Sequence, residues 1–140
     1  MGKRILIIQG HPDRSHEHLC HALADAYADG ARAAGHSVET VEPAQLEFSL
    51  LSDPAQWQEG TVPDALLPAQ EAIARAEHIV LVYPLWLGDM PARLKGFLEQ
   101  VLRPGFAIAR KPGNPIKAGL LAGRSARVIV TMGMPAPFYR

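Results

Sequence analysis

Three short stretches hold residue types able to bind a ligand and act on it. Gly10-His11-Pro12-Asp13-Arg14-Ser15 is turn chemistry running into a helical pattern. The free N–H groups and dipole of a helix start suit a phosphate. Ser15 would add a hydroxyl there, and His11 or His16 a cationic donor. The competing reading makes Ser15 a plain N-cap. Pro84-Leu85-Trp86-Leu87-Gly88 sets free peptide N–H groups beside a flat apolar surface, as a planar heteroaromatic cofactor ring requires. Thr131-Met132-Gly133 offers a hydroxyl and backbone donors able to meet negative charge developing on such a ring.

Other chemistries fail on residue types. In His16-Glu17-His18-Leu19-Cys20-His21, His18 and His21 or His16 and Cys20 can share a helix face, which invites a metal. The pattern is not His-Glu-x-x-His and has no second ligand cluster elsewhere, so no metal is expected. A phospho-receiver domain needs an acidic pair after the first strand and an Asp ending the third, where this chain has Gln9, His11 and Pro84. A low-molecular-weight tyrosine phosphatase needs a Cys in the first loop, and Cys20 falls inside the helical pattern.

The elements that must position these stretches follow from hydrophobic period. Val80 to Tyr83 is a continuous apolar run, read as a strand buried on both faces of a parallel sheet. Pro84 ends its ladder, and Pro91 opens a helix over residues 90–102 through Leu94, Phe97, Leu98, Val101 and Leu102. Residues 4–9 form a second such run, the first strand and a central one. A helix over about residues 16–34 places Leu19, Leu23, Ala26, Tyr27 and Ala34 on one face and stops at Gly35. Residues 37–41 alternate, as a strand near the sheet edge does.

Residues 43–63 have no period and read as a long loop, then residues 64–76 form an amphipathic helix through Leu67, Ala69, Ile73 and Ala76. Residues 103–123 are a second long loop, 126–131 the fourth strand, and 132–140 a loop. This βαβαβαβ alternation predicts one α/β domain over residues 1–140, a flavodoxin-like doubly wound parallel sheet in order 2-1-3-4. The fourth strand has no helix after it. A further helix and fifth strand, about 30 residues or more, are therefore expected beyond Arg140. The loops after strands one, three and four would share the carboxyl edge, where such a sheet surrounds a flavin mononucleotide half.

Composition narrows the class. Lys and Arg number 14 against 14 Asp and Glu, which favours neither nucleic acid nor an anionic membrane. The lone Cys20 excludes an intrachain disulfide and points to a reducing compartment. The N-terminal apolar run is too short for a signal peptide or membrane span, so a cytoplasmic protein is expected. Phe106 and Trp57 lie on segments too irregular for a core, and a homodimer interface would explain them.

Taken together, Gly10-His11-Pro12-Asp13 with Ser15, Tyr83-Pro84-Leu85-Trp86 through Met90-Pro91-Ala92 and Leu94-Lys95-Gly96-Phe97, Gly105-Phe106-Ala107, and Thr131-x-Gly133 with Tyr139 resemble the NAD(P)H:quinone oxidoreductase family. That family includes the modulator of drug activity B and the ancillary subunits of potassium-efflux systems. The resemblance implies a homodimer holding FAD or FMN at the subunit interface, with NAD(P)H as co-substrate and a quinone-like acceptor. By matched position, His11, Ser15 and His18 would line the phosphate, and Pro84, Leu85, Trp86 and Leu87 the ring. Thr131, Met132, Gly133 and Met134 would meet the pyrimidine end. Phe106 would pack on the flavin across the dimer, and Tyr139 would sit over the ring as a catalytic group with Thr131. Many members have Ser-Phe-Asn where this chain has Ser15-His16-Glu17, and Glu17 would repel a phosphate. The histidine that accompanies the tyrosine in the family would lie beyond Arg140. The implied activity is two-electron reduction of quinones. A regulatory subunit of a membrane transporter is the alternative, and a plain electron-carrier flavodoxin is disfavoured because such carriers are acidic.

Overall fold

A computed structural model describes residues 2–108, 121–135 and 137. β1 (Arg4–Gln9) and β3 (His78–Pro84) form the middle of a four-stranded sheet, flanked by β2 (Ser37–Val41) and β4 (Ser125–Thr131). All three pairings are parallel and the order is β2-β1-β3-β4, as the alternation of elements predicts. β1 has no solvent face because alternate side chains enter two different cores. Ile5 and Ile7 join Val80, Val82 and, from α1 (Leu19–Ala33), Cys20, Ala24, Ala28 and Ala31. On the other face, Leu6 and Ile8 meet Ala69, Ala72 and Ile73 of α3 (Leu67–Arg75) and Leu94, Phe97 and Val101 of α4 (Ala92–Val101).

α1 spans Leu19–Ala33, three residues shorter at its start than the sequence suggests. The preceding segment is held instead by Asp13, whose carboxylate accepts from the Ser15 N–H and hydroxyl and bonds His18 Nε2. Such local side-chain bonds compete with helix hydrogen bonds. The N-cap position is therefore His18, and Ser15 does not cap the helix. The buried face is also rotated: small residues lie against the sheet, while Leu19 is 63% exposed. Alanines allow the helix axis to approach the strands, where a Leu19-led stripe would hold it away.

The segment expected to be one long loop contains a 3₁₀ turn at Pro43–Gln45 and a short helix, α2 (Pro54–Glu59), capped by Asp53. Its course over α4 (Ala92–Val101) is fixed by side chains reaching backbone carbonyls. Arg93 donates to the Pro43 and Leu46 carbonyls, Gln100 to Ser49, and buried Arg103 to Gln56. Next, a 3₁₀ turn at Asp64–Leu66 leads into α3 (Leu67–Arg75), with Leu66 buried and Leu67 largely exposed. β4 is the open edge of the described sheet, and Val128 on it is 55% exposed.

The segments carrying Trp57 and Phe106 are less irregular than the sequence suggests. Trp57 stands on α2, in a groove with Leu51, Leu98 and Leu102, and Phe106 packs partly buried against the α3–α4 core.

Packing predicts a sharp contrast between two apolar positions. Phe97→Ala, at a fully buried site, should lower stability by about 3–5 kcal/mol, and Leu19→Ala by less than about 0.5 kcal/mol. Urea unfolding of both variants checks this; comparable losses would mean that Leu19 belongs to the core after all.

Candidate functional site

The sheet register decides which loops meet. Gln9 lies opposite Val82, and the Gly10 N–H donates to the Val82 carbonyl at 2.7 Å. Pro84 lies opposite Thr131, and the Leu85 N–H donates to the Thr131 carbonyl at 2.8 Å. The loops after β1, β3 and β4 therefore leave the same edge side by side. A Cβ on Gly10 would stand 2.5 Å from Leu94 Cδ2, so only a residue without one lets the first loop pass this close to α4.

Within that edge the structure brings together His11, His18 and Trp86. The His11 and His18 rings stack with centroids 3.9 Å apart, and the Trp86 ring lies edge-on to His11 at 6.1 Å. His11 is buried, and its Nδ1 accepts the Asp13 N–H at 3.2 Å. An accepting Nδ1 carries no proton, so the neutral ring has its hydrogen on Nε2, free to donate. Burial first, then the neighbouring His18 and His21, holds the His11 pKa below that of an ordinary histidine.

Asp13 has the opposite environment. Its carboxylate is held ionised far below the usual range by the Ser15 hydroxyl first, then by His18 and the Ser15 N–H. Ser15 is exposed, and its hydroxyl is committed to Asp13 at 2.6 Å. His18 Nε2 bonds the same carboxylate at 2.7 Å. Two of the groups expected to hold a phosphate are thus held by an internal anion, which a phosphate would have to replace.

The second loop is a tight turn in which the Trp86 N–H donates to the Asp89 carbonyl and the Asp89 N–H returns to Trp86. The expectation of free N–H groups at Leu85 and Trp86 is therefore corrected, since both have backbone acceptors. Among the described residues no acceptor meets the Leu87 or Gly88 N–H. Leu87 has φ +51° and its side chain is fully exposed, while Trp86 is 51% exposed. Positive φ at a leucine costs about 1–3 kcal/mol, and such strain clusters at ligand sites. The flat exposed surface stands as expected.

Thr131 points toward the α1 face, where its hydroxyl bonds the buried Cys20 thiol at 3.1 Å. Met132, Gly133 and Met134 are exposed beyond it. Tyr139 lies outside the described residues. Asp13, Cys20 and Gln9 were missed by sequence reasoning. The one available signal was polarity: Gln9 ends an otherwise apolar strand.

A crevice between loops from β1, β3 and β4 at the carboxyl edge marks a doubly wound α/β domain. The chain belongs to the flavodoxin-like fold family, which it matches over residues 3–140. It is 30% identical over 138 residues to an uncharacterized NAD(P)H oxidoreductase of Haemophilus influenzae, covering 96% of this chain and 67% of that protein. It is 28% identical over 131 residues to the FMN-dependent NADH:quinone oxidoreductase of Ruegeria pomeroyi, covering 81% and 62%. A shorter stretch of 76 residues is 40% identical to the glutathione-regulated potassium-efflux system ancillary protein KefG of Escherichia coli, 53% of this chain and 38% of that one. The solved NAD(P)H:quinone oxidoreductase of Methanothermobacter marburgensis superposes with a TM-score of 0.77 at 23% identity, over 99% of this chain and 69% of that one. The chain thus spans about two thirds or less of the curated relatives it matches.

The electrostatics predict a titration. His11 should remain neutral at pH 7 and protonate only below the ordinary histidine range, and His18→Ala should move it back toward the ordinary value. The unfolded chain takes up this proton at about pH 6.5, the folded one only below that. His11 therefore stabilises the fold above that pH, and the contribution is lost as pH falls through its folded pKa. Histidine ring NMR from about pH 4 to about pH 8, a span that brackets the charge change of an imidazole, checks this. A His11 titrating at or above the ordinary histidine value of about 6.5 would overturn it.

Proposed function

We propose that this protein is a flavin-dependent NAD(P)H oxidoreductase that passes a hydride to a quinone or similar acceptor. The observation that carries the reading is the juxtaposition of His11, Trp86 and Thr131 on one sheet edge of a flavodoxin-like domain. The residues fit a flavin: a half-exposed indole face, two peptide N–H groups without acceptors among the described residues, and a neutral imidazole donor in a phosphate-type loop. FMN appears in the name of the Ruegeria relative, and this supports FMN over FAD.

When bound, the flavin supplies the hydride chemistry, and the chain supplies binding, orientation and charge. Pro84, Leu85, Trp86 and Leu87 would hold the ring, with the Leu87 and Gly88 N–H groups aimed at its polar edge. His11 Nε2–H would donate to phosphate, with Ser15 and His18 joining as Asp13 releases them. Thr131 and the Gly133 N–H would face the pyrimidine end, where fixed donors stabilise added negative charge by about 3 kcal/mol each. Tyr139 would act over the ring with the acceptor, and acceptor and NAD(P)H would use that place in turn. We include a homodimer with the flavin at its interface and Phe106 reaching it.

The purified protein should carry a flavin absorption band, release FMN on denaturation, and oxidise NAD(P)H with a soluble quinone. Trp86→Ala should weaken flavin binding about tenfold, the loss of one aromatic stacking partner. Colourless protein that binds no added flavin would refute the reading, and a monomer by sedimentation with full flavin occupancy would remove the dimer. The KefG identity favours a second reading, an ancillary protein for a membrane transporter. Flavin binding with negligible quinone turnover, and capture by transporter-containing membranes, would favour that one.

A further inference from the structure

A cavity of about 540 Å³ opens at the amino edge of the sheet, the end opposite the candidate site. The starts of β1, β3 and β4, the segment ahead of β2 and the last turns of α1 frame it. That volume lies within the range of about 300–1,000 Å³ for whole small ligands. The lining divides by chemistry. Ile5, Ala31 and Tyr27 supply apolar surface, whereas Lys3, His36, His78 and Arg127 are basic. Among the described residues no carboxylate lines it.

The neighbouring carboxylates are committed elsewhere: Glu77 bonds Arg4, and Asp29 pairs with Arg32. Neither Lys3 nor Arg127 forms an ion pair among the described residues. The Arg127 guanidinium stands 5.7 Å from the centroid of the Tyr27 ring. A guanidinium held over a ring face keeps its edge donors for a planar anion such as a carboxylate. The Tyr27 hydroxyl bonds His78 Nε2 at 3.1 Å, and His78 Nδ1 bonds the Ser125 hydroxyl at 2.7 Å. Burial first, then Arg127, Lys3 and His36, holds the His78 pKa below the ordinary value, and no carboxylate offsets those three groups.

Gly30 keeps the space open. It is exposed in the middle of α1, where glycine weakens a helix. Its φ is not positive, and a Cβ there would meet no atom within 4 Å. Neither backbone conformation nor a close neighbour calls for glycine, so its effect is open volume beside the basic groups.

We infer that the amino-edge cavity binds a small aromatic carboxylate, its planar body on the apolar lining and its carboxylate on Arg127 and Lys3. The mixed lining selects this class. Inorganic phosphate would leave the apolar surface in water, and a neutral ring would leave the two cations without a counter-charge. The cavity and the flavin crevice lie on opposite sheet edges, so the inference stands whichever function that crevice performs.

Calorimetric titration with naphthoate, naphthol and inorganic phosphate at fixed ionic strength tests it. Naphthoate should bind one to one and at least about tenfold more tightly than naphthol or phosphate, the worth of one charge-assisted contact. Ring NMR should show the His78 pKa rising toward the ordinary value on binding, because an anion favours the charged imidazole. Arg127→Gln should weaken naphthoate about tenfold, and Gly30→Leu should block it by filling the space. Both positions are exposed, so neither variant should lower the melting temperature of the free protein. Absence of saturable naphthoate binding, equal affinity for naphthol, or binding indifferent to either variant overturns the inference.

Discussion

The parallel pairing of β1 with β3 is the constraint on which everything else depends. Both strands have helices or loops over both faces, so their backbone groups have no water to turn to and must pair with each other. The side chains leave little freedom of register: a slip of one residue would exchange Ile5 and Ile7 with Leu6 and Ile8 between two differently shaped cores. With the register held, Gly10 is bonded to Val82 and Leu85 to Thr131, and three loops emerge together. The position of the candidate site is thus a by-product of core packing. Its residues need not be near one another in sequence.

Inside that frame, one carboxylate organises the first loop. Asp13 gathers the Ser15 N–H and hydroxyl and His18 Nε2, and shapes the turn that delays α1 until Leu19. His11 stays on the other side of this balance, buried, neutral and stacked against His18. The donors of the loop thus converge on one internal anion.

The chain's order of elements was legible because period and punctuation act locally. Continuous apolar runs at Arg4–Gln9 and His78–Pro84, the stop at Gly35 and the proline before α4 each owe their meaning to neighbours a few residues away. The parallel order of the strands followed from the alternation of elements, since right-handed crossovers leave few other arrangements. The flat exposed Trp86 between a strand end and a helix start was legible for the same reason.

Tertiary structure decided what local rules do not reach. Which face of α1 is buried depended on how near the sheet could come, so alanines took the place expected for Leu19. Whether the Trp86 N–H was free depended on Asp89 folding back to accept it. Phe106, on an irregular segment, found a core that only the packing of α3 and α4 creates. The Cys20–Thr131 contact joins residues 111 apart in sequence, and Gln9 Oε1 meets the His11 N–H only once the β1–α1 loop has turned. Sequence determines the elements and their order because those arise from short-range backbone preferences and hydrophobic period. The partners of individual polar groups are settled by distances that only the folded chain brings into being.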